Sequence, residues 1–250
     1  MAGVERAERA RSFGGVAEYY HRFRPGPPAE AVAWVMPASC RTAVDLGAGT
    51  GALSRRLLER AARVIAVEPD PRMLAMLIAH SPGVAGVQAV AEHLPLATRS
   101  VDAVMISSAW HWMDPDATIE EVGRVLPPGG VLGVVGNGPD RSVEWVGDLL
   151  RRRDPVSGDR DERSRHRFEL PSGSPFAALE TREIAWSLPM TRDDLIGLAG
   201  TYSTVITLPS DQQSEEMARV EERVAASSAL HGHEVVELPM RCRCWRAIRQ

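Results

Sequence analysis

The chain contains no lysine; all 29 of its basic residues are arginine. We attribute that to genomic base composition and attach no function to it. Cysteine is nearly absent too, with only Cys40, Cys242 and Cys244. An odd and small count excludes a disulfide framework and fits a reducing compartment. Cys242 and Cys244 are two apart in a strand-like run, so they share a sheet face and are poorly placed to bridge each other. No further ligands gather near them, or near His231 and His233 around Gly232, so no metal site is expected. The opening MAGVERAERARSF has no apolar core of a secretory signal. No apolar run is long enough to span a bilayer. These gaps lead us to expect a cytoplasmic protein with no membrane partner. A net charge of −4 gives no push toward nucleic acid, and none is expected as a partner. Internal repeats and low-complexity linkers are missing as well.

What is present is an ordinary globular composition, 44% apolar and 25% charged over 250 residues, enough to bury a core without staples. A single domain is expected over 1–250. It divides into a helical lid at 1–36, a ligand-binding core at 37–136, and lid or insert elements with the last strands at 137–250. The pattern predicts helices over 16–23 and 29–36, parted by a Pro-Gly-Pro-Pro turn at 25–28. Strands follow at 43–46, 63–67, 86–91, 101–107 and 131–135. Helices are expected over 51–61, from Pro71 onward, and over 116–125. Beyond Gly136 come a helix at 143–153, a strand at 180–188, helices at 192–202 and 210–226, and a last strand at 235–248. Ser210 and Gln213 have the spacing of a capping box. The 151–167 segment carries seven arginines against four acidic residues and reads as solvated surface. Strands alternating with helices mean βαβ units and a mostly parallel, Rossmann-like α/β sheet with helices on both faces.

In such sheets a ligand sits beyond the carboxyl ends of the strands. Four segments converge there. The first is VDLGAGTGAL at 44–53, with Asp45 ahead of glycines 47, 49 and 51. The second is Glu68, at the end of the second strand. The third is Ala91-Glu92, after the third. The fourth is Ser107-Ser108-Ala109-Trp110-His111-Trp112, after the fourth. The glycine run formally satisfies GxGxxA, which keeps a nicotinamide or flavin enzyme open. Asp45 speaks against it, because it brings a carboxylate to where a diphosphate would bind. A ligand bearing ammonium and sulfonium groups suits that carboxylate better.

Together these segments resemble the class I S-adenosylmethionine-dependent methyltransferases. VDLGAGTGAL is similar to that family's glycine loop, and VIAVEPDPRML to its second motif. AEHLPLATRSVDAVMISSAWHWMD is similar to the third and fourth motifs of the small-molecule branch, and RVLPPGGVLGVV to the fifth strand and its lead-in. The tone is that of trans-aconitate and quinone-biosynthesis methyltransferases. The His-Trp pair after the fourth strand and Tyr20-x-x-x-Arg24-Pro25 lean toward the former.

The resemblance implies a seven-stranded sheet in the order 3-2-1-4-5-7-6, with the last strand antiparallel and a small helical lid. It implies S-adenosylmethionine as cofactor, S-adenosylhomocysteine as product, and a small-molecule methyl acceptor. Gly47, Ala48, Gly49 and Gly51 would pass the methionine part, and Asp45 would hold its amino end. Glu68 would bind the ribose. Pro69, Asp70 and Met73 would line one side of the adenine, with Ala91 and Glu92 on the other. Val90 stands where relatives often carry an aspartate, which leaves the adenine to main chain and Glu92. Tyr20 and Arg24 would cap the cofactor from the lid, Arg24 pairing its carboxylate, and Ser108 would close the set. His111 is the candidate general acid/base, with packing between Trp110 and Trp112 as the alternative. Those two tryptophans are either an aromatic wall for the sulfonium or core. Acceptor choice falls to the N-terminal segment and to 137–209. A nicotinamide-dependent oxidoreductase and a non-catalytic S-adenosylmethionine binder remain the rival functions.

Overall fold

Short apolar runs with no polar face belong to strands covered on both sides. The computed structural model, which describes residues 15–151 and 168–250, builds its sheet from them. The strands are β1 (Thr42–Leu46), β2 (Arg63–Val67), β3 (Val84–Val87), β4 (Ala103–Ser107), β5 (Val131–Pro139), β6 (Glu180–Thr191) and β7 (Val235–Ile248). They form one seven-stranded sheet in the order β3-β2-β1-β4-β5-β7-β6. β1 to β5 pair in parallel, and β7 runs antiparallel to both β5 and β6. Every residue of β1 is buried.

Side chains alternate across the sheet. Val44, Leu46, Val104 and Ile106 enter one core with Val122 and Leu126. Ala43, Ala103 and Met105 enter the other with Val32, Val35 and Leu57. Each fully buried Val or Leu contributes roughly 1.5–3 kcal/mol. Both faces are therefore held, and the strand ends are fixed in depth.

The helices are α1 (Ala17–Phe23), α2 (Ala29–Val35), α3 (Ala52–Leu57), α4 (Pro71–His80), α5 (Pro115–Val125), α6 (Glu144–Leu149), α7 (Arg192–Gly200), α8 (Ser203–Ile206) and α9 (Ser210–Ala226). α4 and α5 open on a proline in the first turn, behind the capping carboxylates of Asp70 and Asp114. A separate cluster joins α6, α7 and α9 to the start of β7 through Val146, Leu198, Val220, Leu238 and Met240. No helix among the described residues is long and apolar enough to cross a membrane. The three cysteines are free, Cys242 and Cys244 buried with sulfurs 3.9 Å apart.

Several boundaries differ from the sequence pattern. The third strand covers 84–87 rather than 86–91 and ends where Glu68 N takes the Val87 carbonyl at 3.1 Å. Residues beyond it leave the sheet. The fifth strand passes Gly136 and runs to Pro139, because the 14-residue β7 offers a partner as far as Met240. The helix after β1 stops at Leu57, and the one expected over 192–202 stops at Gly200, with α8 following. The capping box lies at Thr191 and Asp194, not at Ser210 and Gln213. Gln213 instead turns its amide back onto the Ile206 and Leu208 carbonyls. Helix α6 ends at Leu149. Of the arginine-rich 151–167 segment only Arg151 is among the described residues.

Candidate functional site

β1 and β2 end in register, Leu46 beside Val67. The turn after β1 and the acid after β2 therefore emerge together. Gly47 takes φ +71°, and a Cβ there would meet Ala109 Cβ at 2.7 Å and Met113 Cε at 2.9 Å. Only glycine lets this turn and the segment after β4 close on each other. Gly49 takes φ +54° with nothing nearer than Met73 Cε at 3.8 Å, so its constraint is the backbone angle alone.

The amides of this turn point to partners inside the protein. Gly47 N and Ala48 N donate to the Val67 carbonyl at 2.9 and 3.1 Å, and Gly51 N donates to the Ala48 carbonyl at 2.9 Å. Gly49 N donates to Glu68 Oε2 at 2.8 Å. A diphosphate is held by loop N–H groups that are free to point at it. Here those of Gly47, Ala48, Gly49 and Gly51 are taken, one of them by a carboxylate.

Asp45 is 1% exposed. Its Oδ2 accepts from Ser54 Oγ at 2.6 Å, while Oδ1 is buried with no hydrogen-bond partner among the described residues. Burial pushes this carboxyl up to about 7, against the pull of the Ser54 hydroxyl and the Ser54 backbone N–H. Glu68 is also buried, which raises its pKa against the opposing N–H groups of Asp70 and Gly49. Its Oε1 accepts from Asp70 N at 3.0 Å. Both carboxylates border a cavity of about 600 Å³.

Around that cavity the structure gathers Asp45, Gly47, Ala48, Gly49, Glu68, Pro69, Met73, Ala91, Glu92, Ser108, Tyr20 and Arg24. Gly51 is not on the wall; a Cβ there would strike Ser81 Oγ and Leu77 Cγ, so it serves packing behind the turn. Asp70 also stays off the wall, because it caps α4 through Arg72 N at 2.8 Å and pairs with the Arg72 guanidinium. Glu92 Oε1 accepts from Asp114 N at 2.8 Å, which ties the segment after β3 to the one after β4.

The segment after β4 sorts its aromatics by geometry. Trp110–Trp112 is a single turn of 3-10 helix, and three residues per turn send successive side chains about 120° apart. Trp112 faces the cavity. Trp110 goes to the core, edge-on to Phe168 at 4.8 Å. The His111 ring lies against Trp112 with centroids 4.5 Å apart and is not part of the wall. The aromatic-wall expectation therefore splits, with Trp112 on the cavity and Trp110 in the core.

Tyr20 and Arg24 come from α1 and the turn that follows. The Arg24 guanidinium lies 4.9 Å from the Tyr202 ring centroid and 5.9 Å from that of Tyr20. Its Nη1 is 3.5 Å from Thr201 Oγ1. Burial works against its charge, but the contacts with both tyrosines raise its pKa on balance. Sequence reasoning did not single out Pro25 and Gly26 as wall residues, or Thr201 behind Arg24. The proline-rich turn following Arg24 was the available signal for the first two; Thr201, 177 residues from Arg24, gave none.

Residues 44–134 match the family model described as "Methyltransferase domain". An uncharacterized methyltransferase of Mycobacterium tuberculosis is 40% identical over 246 residues, covering 97% of each chain. The solved structure of a protein assigned as a type II methyltransferase from Anaeromyxobacter dehalogenans superposes with a TM-score of 0.64 at 28% identity, over 91% of this chain and 98% of that one. A Haemonchus contortus phosphoethanolamine N-methyltransferase, solved with phosphomonomethylethanolamine and S-adenosylhomocysteine, shares the fold at 13% identity and a TM-score of 0.54, over 94% of this chain and 57% of its own.

This chain belongs to the class I S-adenosylmethionine-dependent methyltransferases. Members of that family draw their methyl group from S-adenosylmethionine. The residues present fit that molecule. The buried, donorless Asp45 Oδ1 asks for a cationic N–H, and an unmet buried acceptor costs roughly 1–3 kcal/mol.

Proposed function

We propose that this methyltransferase acts on a small-molecule acceptor, by in-line displacement, in the cavity beyond β1, β2 and β4. The observation that carries the reading is the polarity of the floor, where the Gly47, Ala48, Gly49 and Gly51 amides are engaged and two buried carboxylates border the space. A volume of about 600 Å³ suits a nucleoside-sized cofactor with a small acceptor beside it. When bound, the cofactor supplies a methyl on a sulfonium, which leaves as a neutral thioether.

The chain's own part is alignment and dryness. Asp45 takes the ammonium of the methionine end, and Arg24 takes its carboxylate from the lid side. Glu68 keeps a lone pair on each oxygen for the ribose hydroxyls after serving the Gly49 and Asp70 amides. Pro69 and Met73 cover one side of the adenine, and Ala91 and Glu92 the other. Ser108 and Trp112 border the space left for the acceptor, and Tyr20 closes it against water. A carboxylate acceptor needs no base; a phenol or alcohol gains from one.

The test is methyl transfer from labelled S-adenosylmethionine to a broad panel of carboxylates, phenols, amines and thiols, read by mass. Transfer to one class of small molecule is expected. Tight cofactor binding with transfer to none of them would leave the chain a binder rather than an enzyme.

A further inference from the structure

Asn137 is buried, at 6% exposure, near the end of β5 and beyond Val135, where the sequence pattern ended that strand. Its side chain touches two distant parts of the chain. Oδ1 accepts from Trp186 Nε1 on β6 at 3.1 Å, and Nδ2 donates to the Gly26 carbonyl at 3.0 Å. Its backbone N lies 3.5 Å from the hydroxyl of Ser108, on the cavity wall. The amide cannot turn over without loss. An indole N–H can only donate, so it fixes Oδ1 toward Trp186, and Nδ2 is then the group left for Gly26.

Gly26 is held from the other side as well. A Cβ there would come within 3.0 Å of the Ala52 carbonyl, so the turn rests on the first residue of α3. Gly26 and Pro25 border the cavity, next to Arg24 and one helical turn from Tyr20. The Gly26 carbonyl is thus one of the points that fix the lid, beside the Arg24 contact with Thr201. Its partner comes from 111 residues further along the chain.

We infer that Asn137 is a positioning residue, oriented by Trp186, that latches the N-terminal lid over the cofactor cavity. It touches neither cofactor nor acceptor. It acts through Gly26 on Arg24, Pro25 and Tyr20, and through Ser108 on the wall after β4. The inference rests on the methyltransferase reading of the cavity, but the latch itself is present without any ligand.

The experiment uses the full chain and the variants Asn137→Ala, Asn137→Asp and Trp186→Phe. Two quantities are read: amide hydrogen exchange over 17–28 in the ligand-free protein, and S-adenosylhomocysteine affinity by calorimetry. Asn137→Ala is expected to speed exchange in 17–28 and to weaken binding about tenfold, the weight of one buried hydrogen bond. Turnover, once an acceptor is known, should show a raised KM for the cofactor with kcat nearly kept. Asn137→Asp preserves size but sets a carboxylate oxygen against the Gly26 carbonyl, so it should not rescue. Trp186→Phe keeps Nδ2 but releases its orientation, and should fall between wild type and Asn137→Ala. If the Asn137 variants fail to fold, Trp186→Phe decides alone. Unchanged exchange in 17–28, or binding within twofold of wild type in the folded variants, overturns the latch. Failure of the wild-type protein to bind S-adenosylhomocysteine would instead overturn the reading of the cavity, while the exchange data would still judge the latch.

Discussion

The floor of the cavity and its lid are assembled from very different stretches of chain. The floor is made by β1, β2 and the turns after them, where Asp45 meets Ser54 and Gly49 meets Glu68. The lid is made by α1 and its turn, held to Thr201 and Asn137 across 177 and 111 residues. Floor contacts join neighbours in one βαβ unit, only 9 and 19 residues apart. Lid contacts depend on how the far end of the sheet folds back. That separates what a motif encodes from what only the tertiary fold supplies. On the proposed reading it also separates the half of the site that holds the cofactor from the half that would choose an acceptor.

The largest effect should come from the floor. Gly47→Val adds both backbone strain and a collision with Ala109 and Met113, and should cost about 3 kcal/mol or more in urea unfolding. Gly49→Ala strains only the backbone and should cost about 1–2 kcal/mol. Equal costs would mean that the turn and the segment after β4 are not packed as described.

Next is Glu68→Ala. It removes a buried carboxylate that organises two amides and faces the cavity. S-adenosylhomocysteine affinity should drop by about 1–3 kcal/mol in calorimetry. Unchanged affinity would detach Glu68 from the ribose.

Asp45 gives a pH signature. Its pKa in the ligand-free fold is raised to about 7, above the ordinary carboxylate value, so the neutral acid is favoured by burial. Its contribution to the stability of the ligand-free protein therefore falls as pH rises from the ordinary carboxylate range through about 7. Cofactor binding needs the anion and runs the other way. S-adenosylhomocysteine affinity should weaken as pH falls below about 7, approaching tenfold per unit. Asp45→Asn should bind more weakly and flatten that profile. A slope that survives the substitution would place the titrating group elsewhere.

The smallest effect is expected at His111. Its ring packs on Trp112 and lies off the wall. His111→Ala should keep cofactor affinity and hold turnover within about threefold, since general acid–base groups are worth about a hundredfold or more. A hundredfold loss of turnover at constant affinity would restore the imidazole to the chemistry.

This contrast also explains what could be read in advance. The glycine turn, Asp45 and Glu68 follow from local pattern and spacing, while the strand order came only with the family resemblance. The choice among Trp110, His111 and Trp112 did not, because a single 3-10 turn decides it and no periodicity announces such a turn. Gly51 looked like a ligand-facing glycine and is a packing one, a distinction that needs α4 in place. Asn137 was hidden by Gly136, which reads as a strand end until β7 supplies a partner beyond it. Residues 88–91 looked like strand from composition, yet Ala89, Val90 and Ala91 border the cavity instead of pairing.

The claim beneath all of this is that two buried acids, with the Gly47, Ala48, Gly49 and Gly51 amides already engaged, select a cationic adenosyl donor over a dinucleotide. Calorimetry of the wild-type protein at pH 8, with S-adenosylhomocysteine in one run and NADH in the other, tests it directly. The account predicts tight one-to-one binding of the first and none of the second. Tight binding of NADH with no heat from S-adenosylhomocysteine would contradict it.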